Sequence, residues 1–178
     1  MINRRETIQR LSLMLGGALS TQVTAGLMGQ VLNDGPSLEV DDAQRALLAE
    51  LADVIIPTTD TPGAKAAKVE EFIIRVMRDC YVLEDQQKFY AGLAKLDADS
   101  QAAHQKGFVD LDADAKNAMV TDLLKTNQPF FRQMRQLTVT GYFTSEIGAT
   151  EALDYVAVPG RFEGDIPLAE GQKTWALR

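Results

Sequence analysis

The stretch VEEFIIRVMRDC, residues 69–80, decides the fold of this chain of 178 residues. Its apolar side chains recur at the spacing i, i+3, i+4, i+7, i+8 and i+11, and they are Val69, Phe72, Ile73, Val76, Met77 and Cys80. That spacing places them on one face of an α-helix, with charged residues on the other. We therefore predict an amphipathic helix whose apolar face, including the Cys80 thiol, is buried.

Two more helices are predicted on either side of this one. The earlier one can be capped by Asp41 or Asp42 and stops at Pro57. Its apolar stripe consists of Leu47, Leu48, Leu51, Val54 and Ile55. The later one runs from Glu84 to about His104, either continuous or broken near residues 97–100. Its inward side chains are predicted to be Phe89, Leu93 and Leu96.

A fourth and a fifth helix follow. Residues 110–112 introduce the fourth, whose predicted inward side chains are Met119, Leu123 and Leu124. Pro129 can occupy the first turn of the fifth helix, and Gly148 is a natural stop for it. The whole pattern predicts an all-α fold, a small bundle of about five helices.

The first 33 residues read as an export segment. Arg4 and Arg5 precede residues 11–33, which contain no ionisable side chain. Adjacent arginines before such a run are typical of twin-arginine export, which carries folded proteins. The run is long enough to span a bilayer, so it can be a retained anchor or a cleaved signal. Residues 18–20 and 23–25 are two possible cleavage sites.

The last residues form a different kind of segment. After Glu151 the helical period ends, and Pro159 and Pro167 argue against a central strand. We predict three parts: an export segment over residues 1–33, a helical domain over 34–154, and an extended, irregular C-terminal arm over 155–178. Such an apolar arm is expected to lie on its own helices or on a partner.

Composition and charge exclude several functions. The net charge is −7, with +2 in the first thirty residues and −9 in the remainder, so nucleic-acid binding is not expected. One cysteine and one histidine, Cys80 and His104, cannot supply a c-type haem motif or an ordinary zinc site. No glycine-rich nucleotide motif is present. We expect no catalytic residue, no bound cofactor and no metal in this chain.

Besides the arm, two segments carry more specific features than packing requires. Residues 59–64 form a loop in which Thr and Asp side chains can satisfy turn amides, either as a plain interhelical connection or as a rigid loop presented to a partner. Residues 141–148 combine a glycine inside a helix with adjacent aromatic residues, which suit either the core or an interface. With the arm, the predicted partner-interface residues are Thr59, Asp60, Thr61, Pro62, Gly63, Tyr142, Phe143, Glu146, Tyr155, Pro159, Arg161 and Phe162.

Taken together, these segments resemble the gluconate 2-dehydrogenase subunit 3 family. The resemblance rests on the Arg4-Arg5 start, on residues 53–57 with 59–64, on residues 137–148, and on the arm from residue 155 to residue 164. It implies a noncatalytic small subunit that escorts a large subunit of the glucose-methanol-choline oxidoreductase type. The large subunit holds FAD and oxidises a sugar, a sugar acid or a glucoside.

The resemblance also implies an assembly at the outer face of the inner membrane, in the periplasm. A multihaem cytochrome c subunit can complete it, and the membrane is reached through the complex or through a retained signal. The alternative is a stand-alone exported helical protein, either a binding module or an enzyme with an unrecognised site. Thr7, Ile8 and Gln9 depart from the usual export pattern after the arginine pair.

Overall fold

The computed structural model describes residues 20–32, 35–156, 158, 160, 167 and 170–175. Its α-helices are α1 (Thr21–Leu27), α2 (Asp42–Ile55), α3 (Val69–Cys80), α4 (Leu83–His104), α5 (Ala113–Thr126) and α6 (Gln128–Phe143). A short 3₁₀ turn, Phe108–Asp110, precedes α5, and a π-helical turn, Gly148–Ala152, follows α6. The all-α prediction is confirmed, and helices are found in all five predicted places.

Residues at the N-terminus of several helices favour helix formation there. Asp41 caps α2 by accepting from the Gln44 amide at 2.7 Å, while the Gln44 side chain accepts from the Asp41 amide at 3.2 Å. This reciprocal pair is a capping box, which satisfies two amides at a helix start. Asp112 caps α5 by accepting from the Ala115 amide at 2.8 Å. Pro129 lies in the first turn of α6, as predicted.

Helix α3 packs against α1, α2 and α6. Of its predicted inward residues, Val69, Ile73, Val76, Met77 and Cys80 are buried, whereas Phe72 is half-buried. Helix α2 in turn contacts α4, α5 and α6. The fold therefore has one hydrophobic core, to which every described α-helix contributes.

Helix α4 is continuous through residues 97–100, so the alternative of a break there is wrong. Instead of ending the helix, Asp97 accepts a hydrogen bond from the Phe108 amide at 2.8 Å and fastens the 3₁₀ turn to α4. The Ser100 hydroxyl donates to the Lys106 carbonyl at 2.8 Å and holds the same connection. The polar side chains that suggested a break thus hold the segment between α4 and α5 in place.

Two details of the later helices differ from the sequence prediction. Leu124 is 41% exposed, whereas Val120 and Leu123 are the buried residues of α5. The reason is that α5 packs through a narrow face, so Leu124 at its edge stays in contact with solvent. Helix α6 ends at Phe143 rather than Gly148. There the Ser145 hydroxyl donates to the Tyr142 carbonyl at 2.6 Å and turns the chain.

Part of the predicted export segment is folded. Helix α1 packs on α3, with Val23 and Ala25 buried. Residues 1–19, including the arginine pair, lie outside the described residues, and the three predicted part boundaries remain predictions. Across the described ranges, no helix combines the length and hydropathy that a membrane crossing needs.

Candidate partner interface

The loop between α2 and α3 is held by its own polar groups. Its two ends meet where the Ala64 amide donates to the Ile56 carbonyl at 2.8 Å. The Thr58 hydroxyl accepts from the Gly63 amide at 2.9 Å, and the Thr59 hydroxyl donates to the Asp60 carboxylate at 2.8 Å. These bonds satisfy groups that a loop otherwise leaves to water. Residues 56–63 therefore form a preorganised loop.

The carboxylate at the tip of this loop is stabilised in its charged form. The hydrogen bond from Thr59 is the largest cause that holds the pKa of Asp60 below its ordinary value of 3.8. The Asp60 amide and the positive charge of Lys173 act in the same direction. Asp60 is exposed, so the loop presents a fixed negative charge to solvent.

Tyr142 joins the loop to α6. Its hydroxyl donates to the Pro62 carbonyl at 2.7 Å, and the residue is only 2% exposed. Gly141 beside it is also buried, and a Cβ there would lie 2.7 Å from the Phe72 ring of α3. Glycine at this position thus lets the Phe72 side chain of α3 pack closely on α6. Because Tyr142 is buried, its predicted role at the interface is indirect: it holds the loop in position.

The C-terminal end of α6 carries an exposed aromatic surface. Phe143 is 39% exposed and Tyr155 is 45% exposed. Both line a depression of about 350 Å³, which we call the α6-end surface, formed by Phe143, Thr144, Ser145, Glu146, Ala149, Thr150 and Tyr155. The Phe143 and Tyr142 rings pack edge to face, with centroids 5.2 Å apart. An aromatic side chain held by an aromatic neighbour makes a rigid contact point.

The turn that shapes this surface depends on Gly148. Its amide donates to the Ser145 hydroxyl at 3.0 Å. A Cβ at this position would lie 1.9 Å from the Tyr142 carbonyl oxygen, so no larger residue fits without moving the backbone. Gly148 is therefore needed for the tight return after α6, although it does not end the helix itself.

A second depression adjoins the α6-end surface and shares Thr144 and Ser145 with it. It has a volume of about 340 Å³ and lies between α1, α3 and α6. Its lining is more polar: the Arg75 guanidinium lies 5.8 Å from the centre of the Phe72 ring, and Glu71 forms an ion pair with Arg45. The two depressions together combine an apolar part with a charged part.

The end of the arm returns to the same region. The Asp154 amide donates to the Thr174 carbonyl at 2.9 Å, and Asp154 pairs with Trp175 in an isolated parallel bridge. The Lys173 ammonium donates to the Glu151 carbonyl and also lowers the pKa of Asp60. Residues 173–175 therefore lie near the π-helical turn, and Lys173 also lies near the loop.

The structure brings most of the predicted interface residues to one end of the bundle. Those described as exposed are Thr59, Asp60, Phe143, Glu146 and Tyr155. Those half-buried or buried are Thr61, Pro62, Gly63 and Tyr142. Pro159, Arg161 and Phe162 lie outside the described residues. The interface role of all twelve remains a prediction.

Sequence reasoning missed Ser145, Thr150 and Lys173. The local signal for Ser145 was a Thr-Ser pair just after a helical period, where hydroxyl groups commonly bond back to helix carbonyls. No local signal indicates Lys173, because its neighbours Glu151 and Asp60 lie far away in sequence.

The described residues also limit the chemistry available here. No group of three or more His, Cys, Asp or Glu side chains within the described ranges could hold a metal ion. His104 is exposed. Cys80 is buried, which confirms the prediction, and burial raises the pKa of its thiol. Such a thiol is unreactive.

The family model of gluconate 2-dehydrogenase subunit 3 matches residues 42–160. The chain belongs to the gluconate 2-dehydrogenase subunit 3 family. The match includes the loop, the α6-end surface and the start of the arm, whereas α1 precedes it. No curated protein and no solved structure matched the chain. Membership indicates a small subunit of a multi-subunit dehydrogenase complex.

Proposed function

We propose that this chain is the noncatalytic small subunit of a periplasmic FAD-dependent dehydrogenase, acting on a sugar, a sugar acid or a glucoside. Its partner is a flavin-binding large subunit of the glucose-methanol-choline type. The partner holds the FAD and performs the oxidation, and a multihaem cytochrome c subunit can accept the electrons. The small subunit stabilises the large subunit and carries it through twin-arginine export.

Family membership supports the dehydrogenase complex, and the observation that supports partner binding is the exposed aromatic pair at one end of the bundle. Phe143 and Tyr155 line an apolar depression beside a loop whose backbone is already hydrogen-bonded. Exposed aromatic residues on a rigid frame are typical centres of protein interfaces. Because the loop is preorganised, little conformational entropy is lost when a partner binds it.

The charged neighbours suit recognition rather than catalysis. Asp60 and Glu146 are exposed at the same end, and Arg75 lines the adjoining depression. Such charges at the rim of an interface fix its register and raise the association rate. We therefore assign binding to the α6-end surface and the loop, and oxidation to the partner.

The first experiment tests the arm. A chain ending at Asp154 should stay folded, because the helical core lies before that residue, but it should no longer co-purify with the flavin-binding large subunit. Helical content from circular dichroism and the flavin absorption of the purified complex are the two measurements. An unchanged yield of complex after truncation would contradict the role of the arm.

The second experiment tests the export route. Changing Arg4→Lys and Arg5→Lys together should keep both subunits in the cytoplasm, because the arginine pair is the signal that we propose for the whole complex. The measurement is dehydrogenase activity in the periplasmic and cytoplasmic fractions, with Arg10→Lys as the matched control. Periplasmic activity that survives the double change would refute the escort role.

A further inference from the structure

Helix α1 belongs to the export segment by sequence, yet it is part of the core. Val23 is fully buried and Ala25 is 3% exposed. Gly26 packs so closely on α3 that an added Cβ would lie 2.4 Å from a methyl carbon of Val76. Two helices approach this closely only where one presents glycine or another small residue.

Residues 20–30 also contain both an N-cap and a C-terminal capping motif for α1. The Ser20 hydroxyl accepts from the Val23 amide at 3.3 Å, as an N-cap does. At the other end Gly29 has a φ of +63°, the Gln30 amide donates to the Ala25 carbonyl at 2.9 Å, and the Gly29 amide donates to the Gly26 carbonyl at 3.2 Å. This is a Schellman ending. Residues 20–30 thus encode a complete short helix.

Both ends of this helix are fastened to the C-terminal end of α3. The Leu32 amide donates to the Asp79 carbonyl at 2.7 Å, and the Cys80 thiol donates to the Gln30 carbonyl at 3.4 Å. On the other side, the Ser20 hydroxyl lies 3.5 Å from the Tyr81 hydroxyl. The contacts therefore extend along residues 20–32.

We infer that residues 21–32 are a permanent part of the folded subunit, so that processing of the export segment removes nothing beyond Ser20. Of the two possible cleavage sites, residues 18–20 are compatible with the buried part of α1: a cut after Ser20 would remove the N-cap and the Tyr81 contact but leave Val23, Ala25 and Gly26 in place. A cut after Ala25 would remove Val23 and the first turn of α1. It would also place a charged amino terminus on Gly26, against the buried Val76 side chain, where a charge is costly.

The first test is the mature N-terminus. The full chain is expressed with its partner, recovered from the periplasm, and its mass is measured intact. A first residue at Thr21 or earlier is expected, and a first residue at Gln22 or later overturns the inference. This step rests on the proposed export. If export fails, the chain is found in the cytoplasm with its original start.

The second test does not depend on export. In the full chain, Gly26→Leu should lower Tm by about 5 °C or more, since the new side chain meets Val76 and forces α1 away. It should also raise the alkylation rate of Cys80 by about tenfold, because residues 30–32 no longer cover the thiol. Val23→Ala is a milder variant with the same expected direction, in case Gly26→Leu does not fold.

The control is Thr21→Ala, an exposed position on the same helix, for which Tm should stay within about 2 °C of wild type. Equal melting temperatures and equal alkylation rates for Gly26→Leu, Val23→Ala and wild type would overturn the inference. A fall in Tm together with faster alkylation supports it, whatever the export route.

Discussion

Replacing Phe143 with alanine should weaken binding of the proposed flavin-binding large subunit by about thirtyfold. Phe143 is 39% exposed. A phenylalanine side chain buries about 200 Å² when it is fully covered, so a partner can cover about 80 Å² more. At about 25 cal/mol per Å², that area corresponds to about 2 kcal/mol, which is the thirtyfold change in Kd.

The assay is a titration of purified small subunit, wild type or variant, against immobilised large subunit. Leu124→Ala is the matched control, because Leu124 is 41% exposed but lies on α5 and not in the α6-end surface. Tm is measured for both variants, since Phe143→Ala also removes the ring contact with Tyr142. A Kd for Phe143→Ala within twofold of wild type, or an equal loss for Leu124→Ala, would refute the reasoning.

Two further predictions concern a hydrogen bond that holds the loop and ion pairs that join the helices. Tyr142→Phe removes the hydrogen bond to the Pro62 carbonyl and should lower the free energy of unfolding by about 1 kcal/mol. Thermal melting would show this as a Tm lower by roughly 2–4 °C. An unchanged Tm would mean that the bond does not hold the loop. Glu50 of α2 forms an ion pair with Lys116 of α5 at 2.7 Å and another with Lys65. Burial alone would raise the pKa of Glu50, but the hydrogen bonds from the two lysines outweigh burial and hold this pKa below 4.5. Its contribution to stability is therefore present above pH 4.5 and lost as the pH falls through the lower folded value, and Glu50→Gln should flatten that part of the Tm-against-pH curve.

Helical periodicity was sufficient to predict the bundle. The apolar spacing of residues 69–80 identified α3, and capping residues such as Asp41 and Asp112 marked the helix starts. These signals are local, because a helix forms between residues three or four apart. The prediction failed at Leu124, since the width of a packing face depends on the neighbouring helices.

Helix α1 was missed for a different reason. Its small residues are typical of an export segment, and the same residues allow a short helix to pack closely on α3. Ser20 and Gly29 were the local signals that could have revealed it, as an N-cap and a C-terminal glycine.

The candidate interface could be predicted only in pieces. The loop, the end of α6 and the arm were each identified from their composition. Their meeting point depends on contacts between distant residues, such as Tyr142 with Pro62 and Asp154 with Thr174. Periodicity cannot reveal such contacts, because they depend on the tertiary packing of all the helices.

The most direct test of the account is native purification of this chain from cells that also produce the large subunit. The account predicts that the two proteins elute together in a constant ratio. The complex should show flavin absorption and oxidise a sugar, a sugar acid or a glucoside, whereas the isolated small subunit should be colourless and inactive. A small subunit that elutes alone, or that turns over substrate without a partner, would contradict the account.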